Sequence, residues 1–435
     1  MLGLGTVGSA VAERLRDEAG LIMRRAGVRI ELVRVVVRDA DRPRTVGVEP
    51  EIVSTDASAL LGDESLGVVV ELIGGLEPAH GHIEQVLRSG RSVVTANKAV
   101  IAMHGAELVR LGGARLRFEA AVGGGIPVIG TLVNALAAQR VTGIAAVING
   151  TANFILDAMA AGGDHAAAVA EARRLGFAEE DPSADVDGSD AACKLAIMAS
   201  LALDRWIHPD TIRRTGIAGL RPGDFRAAWL CGHSIRLLAS ARLDGAAPSA
   251  CVEPTALRRA PSPHTDRRVT PGHPLADVRG PENGVLFTAD MAGPLLLRGA
   301  GAGGEATAGA VIADIIALAR DIATGAGGHR AAPPMPNAAA PAAATTPGAA
   351  DDRETGALII VEAQSRDEDL RVVRQLLDDR GVTTISMAYD TDDPVTLRVG
   401  LLTKPAAREA IAAAIATLDA DPRFEDGVRW LPALP

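Results

Sequence analysis

An aspartate and a lysine four residues apart share one face of a helix, and Asp190 and Lys194 have that spacing. The stretch from Gly176 to Lys194, GFAEEDPSADVDGSDAACK, packs six carboxylates into nineteen residues and ends on the lysine. Proline and glycine keep its first half extended. From Gly188 the apolar spacing of Ala192, Leu195, Ala196 and Ala199 predicts a helix. A surface ion pair would explain the spacing without any function and would contribute about 0.3–0.5 kcal/mol. The competing chemistry is an acid that anchors a substrate hydroxyl beside an amine that exchanges its proton, as hydride transfer between an alcohol and a nicotinamide requires.

Lysine usage bears on that choice. Of 44 basic residues, three are lysines, at 98, 194 and 404, and the rest are arginines. Arginine stays charged at any working pH, whereas a lysine amine can release a proton once its surroundings lower its pKa. Lys98 and Lys194 are therefore candidates for proton transfer, and Lys404 reads as an ordinary surface residue.

Gly3, Gly5 and Gly8 spell GxGxxG ahead of the helical stretch Ser9–Arg16, which sets backbone amides and a helix N-terminus against a pyrophosphate. The end of the second strand, where a ribose-binding acid is expected, reads Val37, Arg38, Asp39, with Arg42 and Arg44 behind. Arg38 there favours a 2′-phosphate partner, hence NADP over NAD, with NAD still possible. Two residues, Met1 and Leu2, precede Gly3, so the first strand of the dinucleotide fold is apparently missing. Its loss would remove roughly four to six ladder hydrogen bonds at about 1 kcal/mol each, and a start downstream of the native one is the expectation.

These motifs need elements to hold them. The 435 residues suffice for two to four domains of roughly 150 residues. From residue 1 to 120, β-branched runs at Val28–Val37, Val68–Ile73 and Ser92–Thr95 alternate with amphipathic stretches, the rhythm of a Rossmann-like parallel sheet. Residues 121–320 read as an α+β domain for substrate and dimerisation, with a long helix over Ile126–Ala138 and strands at Val141–Ile148, Val285–Thr288 and Leu295–Leu297. Residues 321–356 are an Ala/Pro/Gly-rich linker, and 357–435 read strand, helix, strand, strand, helix, strand, a ferredoxin-like module. The fold class is α/β.

Apolar residues make up 48% and aromatics 2%, so Ala, Val, Leu and Ile must build the interior. A net charge of −10 without a basic block argues against nucleic acid or an anionic membrane as partner. Cys193, Cys231 and Cys251 lack the spacing of a zinc site or a disulfide framework. No apolar run of membrane-spanning length and no signal pattern occurs, and a cytoplasmic protein is expected.

Ala172, Gly176, Asp181, Pro182, Asp185, Gly188, Asp190 and Lys194 together resemble the signature of homoserine dehydrogenase. In order along the chain, GLGTVG at Gly3–Gly8, TANKA at Thr95–Ala99, EAAVGGGIPVI at Glu119–Ile129, NGTANFIL at Asn149–Leu156 and LFTADMAGPLLLRGAGAG at Leu286–Gly303 resemble successive motifs of that family. The resemblance implies NAD(P)-dependent interconversion of L-homoserine and L-aspartate 4-semialdehyde, on the route to threonine, methionine and isoleucine.

It further implies that Lys194 is the general acid/base and that Asp190 holds the reacting hydroxyl. Glu179 would bind the substrate ammonium with Asp185 in support, and Gly150 and Thr151 would line the substrate pocket. Lys98 would sit between nicotinamide and substrate, where two ammonium groups depress each other's pKa. Thr6, Val7 and Gly8 would meet the phosphates, while Gly176, Gly301 and Gly303 would admit the cofactor to close backbone approach. Glu119 and the carbonyls of Val122, Gly124 and Ile126 would surround sodium or potassium. A homodimer or larger homo-oligomer is also implied.

Departures from the family pattern are the short start, Ala152 in place of a second threonine, and Glu305–Ala306 where a proline is common. The C-terminal module resembles a regulatory ACT domain whose opening turn is replaced by Ser365–Asp369, and threonine would be its effector. Two other readings stay open: another NADP-dependent aldehyde oxidoreductase, and an amino-acid sensor that has lost turnover.

Overall fold

Valine-rich segments pair as a parallel sheet in the first third of the chain. In the computed structural model, β3 (Val68–Glu71), β4 (Ser92–Thr95) and β5 (Leu116–Arg117) lie side by side, and β1 (Val35–Val36) pairs with β2 (Val53–Ser54). The structure describes residues 1–42, 46–244, 248–260, 271–325, 354–363, 366–390, 397–424 and 427–435. Arg44 and most of the expected linker lie outside them.

Among the described residues no strand precedes Gly3, and Leu2 alone occupies the place between β1 and β3. Leu2 bridges Val36 on one side and Glu71 on the other, both parallel, and so joins β1 to β3. Leu2 N–H donates to the Val70 carbonyl at 2.8 Å and Gly3 N–H to the Val36 carbonyl at 2.8 Å. The Met1 nitrogen donates to Arg34 O at 2.6 Å, and burial holds this amine well below its ordinary value, at about 5. A cleft of about 440 Å³ continues the line of this bridge between Val28–Arg34 and Ser65–Val70.

Helices α1 (Thr6–Asp17), α2 (Ala19–Ala26), α3 (Ala57–Leu61), α4 (Ala79–Arg88) and α5 (Lys98–Gly112) flank this sheet. The expected helix over Ile126–Ala138 is instead one turn, α6 (Val128–Gly130), and then a wide turn over Thr131–Ala135. A five-residue closure from Leu136 N–H to Thr131 O, at 2.9 Å, replaces the regular helical bond there.

The rest of the main body is a mostly antiparallel sheet backed by helices. Its strands are β6 (Val141–Val147), β7 (Arg213–Arg214), β8 (His233–Arg242), β9 (Ser249–Arg258), β10 (Glu282–Ala289) and β11 (Gly293–Ala300), and β7 pairs in parallel with β9. Its helices are α7 (Gly150–Ala160), α8 (His165–Arg174), α9 (Ser183–Val186), α10 (Ser189–Leu203) and α11 (Pro222–Leu230). α12 (Gly304–Ala323) then returns to the first sheet, where Ala308, Val311, Ile312, Ile315 and Leu318 pack in one core with Val11 and Leu15. A boundary at residue 120 therefore divides the sequence but not the packing, since the apolar face of α12 is buried against α1.

The tail has the expected order: β12 (Glu354–Ala363), α13 (Arg366–Asp378), β13 (Thr384–Asp390), β14 (Leu397–Thr403), the short β15 (Ala406–Ala407), α14 (Arg408–Asp419) and β16 (Arg429–Leu434). It is joined to the main body, because β16 pairs in parallel with β9 at Ala433–Ala256 and Leu434–Leu257. One sheet thus runs β11-β10-β6-β8-β9-β16-β12-β14-β13.

Candidate active site

Gly188, with φ +85°, turns the acidic segment into α10 in the left-handed region where glycine costs least. A Cβ there would also stand 3.0 Å from Val252 Cγ1. α10 then places Asp190 one turn before Lys194, and the pair forms with Lys194 Nζ donating to Asp190 Oδ2 at 2.7 Å. It is no surface pair, since Asp190 is buried. The Lys194 ammonium also donates to the Ile148 carbonyl at 2.7 Å.

Lys98 arrives from the parallel sheet and donates to the other oxygen, Asp190 Oδ1, at 2.8 Å. It opens α5 directly after β4, and a buried polar relay sets its position. Glu71 at the end of β3 accepts from Thr95 Oγ1 at 2.5 Å, Thr95 Oγ1 accepts from Asn97 N–H at 2.9 Å, and Asn97 Oδ1 caps α5 at Val100 N–H. A second asparagine completes the site. Asn149 Nδ2 donates to Asp185 Oδ1 at 2.7 Å and to Asp190 Oδ2 at 2.8 Å, while its Oδ1 caps α7 at Ala152 N–H.

The electrostatics follow from this packing. Burial pushes the Asp190 carboxyl up, but Lys194 and Lys98 overcome it and hold the group well below the ordinary carboxylate range. Burial pulls Lys98 down, yet Asp190 more than offsets it, so its pKa lies above that of a free lysine. For Lys98 the expected depression is thus corrected, because a carboxylate stands between it and the second amine. Burial raises Asp185, with the Asn149 bond partly opposing.

The six acids of the segment divide by job. Asp190 and Asp185 join the site. Asp181 and Asp187 brace local turns through Ser183 N–H and Ser189 N–H, at 3.0 and 2.8 Å. Glu179 and Glu180 are exposed, and Glu179 takes no part in the hydrogen bonds around Asp190. Thr151 Oγ1 donates to Phe177 O at 2.8 Å, and Phe154 stacks on Phe177, which ties that loop to α7. Gly150 opens α7. Gly176 has φ +77° and ends α8 as its left-handed glycine.

The glycine turn has the form an anionic ligand needs. Added at Gly3, a Cβ would meet Leu72 O at 2.7 Å, and at Gly8 it would meet Gly3 O at 2.5 Å, so both are required by packing. At Gly5 a Cβ would meet nothing within 4 Å. No side chain caps α1, which leaves the amides of Thr6, Val7 and Gly8 to an external acceptor. Gly303, with φ +107°, starts α12 beside this turn, and a Cβ on Gly304 would lie 3.0 Å from Thr6 O. Arg38 is exposed just past β1.

Glu119 also serves the local backbone. Its carboxylate accepts Ile129 N–H at 2.9 Å and Gly130 N–H at 2.7 Å, so it caps α6. The carbonyl of Ile126 accepts from Val128 N–H at 2.8 Å. Gly124 presses on Gly301, whose carbonyl a Cβ would approach to 2.4 Å, while Val122 is buried. Burial raises Glu119, and it raises the neighbouring Asp314 to about 7.

Comparison with known proteins identifies this arrangement. Residues 3–117 match the NAD-binding domain of homoserine dehydrogenase, and residues 127–316 match the homoserine dehydrogenase domain. The homoserine dehydrogenase of Corynebacterium glutamicum is 42% identical over 330 residues, covering 74% of this chain and 71% of that protein. The chain belongs to the homoserine dehydrogenase family. A crystal structure of a homoserine dehydrogenase from Thiobacillus denitrificans, 35% identical, covers 100% of this chain and 97% of its own, with a TM-score of 0.85. A hyperthermophilic archaeal homoserine dehydrogenase in complex with NADPH, 28% identical, covers 73% of this chain and 95% of its own, with a TM-score of 0.58. As a homoserine dehydrogenase the chain is an oxidoreductase with a nicotinamide cofactor, and the glycine turn fits that group. Among the described residues no helix is long and apolar enough to cross a membrane.

Asn149, Glu71, Thr95 and Asn97 were missed as site residues in the sequence. The asparagines stand inside the NGTANFIL and TANKA motifs, and an asparagine one residue ahead of a helix was the available signal for both.

Proposed function

We propose that the chain reduces L-aspartate 4-semialdehyde to L-homoserine with NADPH, and runs the reverse oxidation, through Lys194, Asp190 and Lys98. The observation that carries this reading is the single buried carboxylate gripped by two lysines on opposite oxygens. A bound nicotinamide supplies or takes the hydride. Lys194 delivers a proton to the aldehyde oxygen as the carbon is reduced, and in reverse it accepts the hydroxyl proton. Lys98 remains charged and favours the negative charge that gathers on that oxygen. Asp190 fixes both amines and, through a remaining lone pair, accepts the substrate hydroxyl. Asp185 and Glu179 attract the substrate ammonium, and Gly150 and Thr151 shape the pocket beside them.

NADP is favoured by Arg38, an exposed guanidinium at the strand end where a bound ribose would lie. A sodium or potassium ion at Glu119 and the carbonyls of Val122, Gly124 and Ile126 is supported by the pairing of two half-buried acids, since Asp314 accepts the Glu119 N–H at 2.9 Å. The βαββαβ tail reads as an ACT-like sensor for an amino acid such as threonine, and the assembly as a homodimer or larger homo-oligomer in the cytoplasm.

The test follows semialdehyde-dependent NADPH oxidation at 340 nm. Lys194→Ala is expected to lower kcat by about 10²–10⁴. Unchanged turnover in that variant would overturn the assignment.

A further inference from the structure

Far from the catalytic carboxylate, a cavity of about 760 Å³ opens between α7, α11, β8 and the tail strand β14. Its wall includes Asp157, Arg226, Trp229, Arg236, Arg279 and Arg398. Four of these six are guanidiniums and one is a carboxylate. The acids that face the others stand outside the wall: Asp390 near Arg226 at 3.5 Å, Glu362 on Arg398 at 3.1 Å, and Asp277 at 4.0 Å from Arg279.

Arg236 is the most confined of them, at 3% exposure. It donates to Asp157 at 2.9 Å and to its neighbour's carbonyl at 3.2 Å, yet its Nε–H is buried with no acceptor. Asp157 is shared, since its other oxygen accepts Gly280 N–H at 2.9 Å. Arg259 lies over the Trp229 ring at 3.2 Å and also has a buried nitrogen without an acceptor, Nη1. Burial lowers the pKa of Arg236 and Arg259, and the charge of Arg279 lowers both further. A buried donor without an acceptor costs about 1–3 kcal/mol, and like charges held together add to it. An anion would relieve both.

We infer that this cavity is a binding site for a small dianion, a phosphate or a dicarboxylate, held by Arg236 and Arg279 and closed on one side by Arg398 of the tail. Guanidinium forks match both carboxylate and phosphate geometry, which sets the ligand class. The site is separate from the substrate pocket but mechanically joined to it. Asp157 and the catalytic-site residue Asn149 lie at two ends of α7, eight residues or about 12 Å apart. An anion that draws Arg236 away from Asp157 acts on the helix whose first cap steadies Asp190.

Isothermal titration of the full chain at constant ionic strength, with sodium phosphate in one arm and sodium malonate in the other, tests the site. One saturable site per chain with a Kd below roughly 10 mM is expected for at least one anion. Arg279→Ala and Arg226→Ala, each checked for native circular dichroism, are expected to weaken it about tenfold or more, while Arg298→Ala on the exposed edge strand β11 leaves it unchanged. Saturation by phosphate alone assigns a phosphorylated ligand, and by malonate alone a dicarboxylate. No saturable binding of either anion, or equal binding by the cavity variants, overturns the proposal.

Discussion

Asn149 donates its side-chain amide to Asp190 at 2.8 Å, and so links the cap of α7 to the carboxylate that both lysines hold. The same nitrogen reaches Asp185 at 2.7 Å, which makes one amide the clasp between two acids.

Replacing that asparagine separates its two duties. Asn149→Ser keeps a capping oxygen but is too short to reach the carboxylates, whereas Asn149→Ala loses both. The two variants are expected to differ by about 1 kcal/mol in unfolding free energy, the value of the cap. Both should lose roughly 10- to 100-fold in kcat, in line with one hydrogen bond to a charged group. Denaturant titration and steady-state kinetics check the two halves separately.

Ionisation within the site sets its pH response. Asp190 is depressed and Lys98 raised, so both stay charged through the neutral range. Asp190 contributes stability above the ordinary carboxylate value that is lost as the pH falls below it. Lys98 contributes below the ordinary lysine value and loses its contribution as the pH rises through its raised one. Asp185 has the opposite sign to Asp190. Its raised pKa means that the folded state holds the proton more tightly than the unfolded chain, so its charge subtracts from stability once the pH exceeds the ordinary value. An acid-side rise in KM for the semialdehyde is therefore expected to trace to Asp185. The pH profile of Asp185→Asn should lack that limb, and the variant should gain stability near neutrality.

Two glycines of the nucleotide turn should behave unlike each other. Gly5→Ala meets no protein atom within 4 Å, so it should leave the melting temperature unchanged and still weaken NADPH binding about tenfold, because a ligand needs that space. Gly8→Ala forces a methyl to 2.5 Å from Gly3 O and should destabilise the fold by roughly 1–3 kcal/mol. Thermal melts and fluorescence titration with NADPH read the pair.

Cofactor choice has its own probe. Arg38→Ala should raise KM for NADPH about tenfold and leave KM for NADH nearly unchanged, if the guanidinium meets a 2′-phosphate. Equal effects on both cofactors would remove Arg38 from that role.

Local features were legible from residues alone. The Asp190–Lys194 spacing needed only helical periodicity, and the glycine turn needed only its own conformational demands. Lys98 meeting Asp190 across 92 positions was not legible, because no local pattern encodes a contact between two sheets' worth of chain. The buried relay from Glu71 to Asn97 was hidden for the same reason. The capping of α6 by Glu119 was not legible, since a carboxylate that caps a helix ten residues away has no spacing signature. That Leu2 alone would bridge β1 and β3 was not legible, because a single bridging residue leaves no alternating pattern.

The parallel register of Ala433 and Leu434 on Ala256 and Leu257 has a mechanical consequence. A tail stitched edge to edge into the catalytic sheet cannot pivot on a tether; any displacement must shear those ladder bonds or travel through them as strain. Hydrogen exchange at the Leu257 amide would then act as a gauge of the whole molecule, slowing or quickening with events at either end.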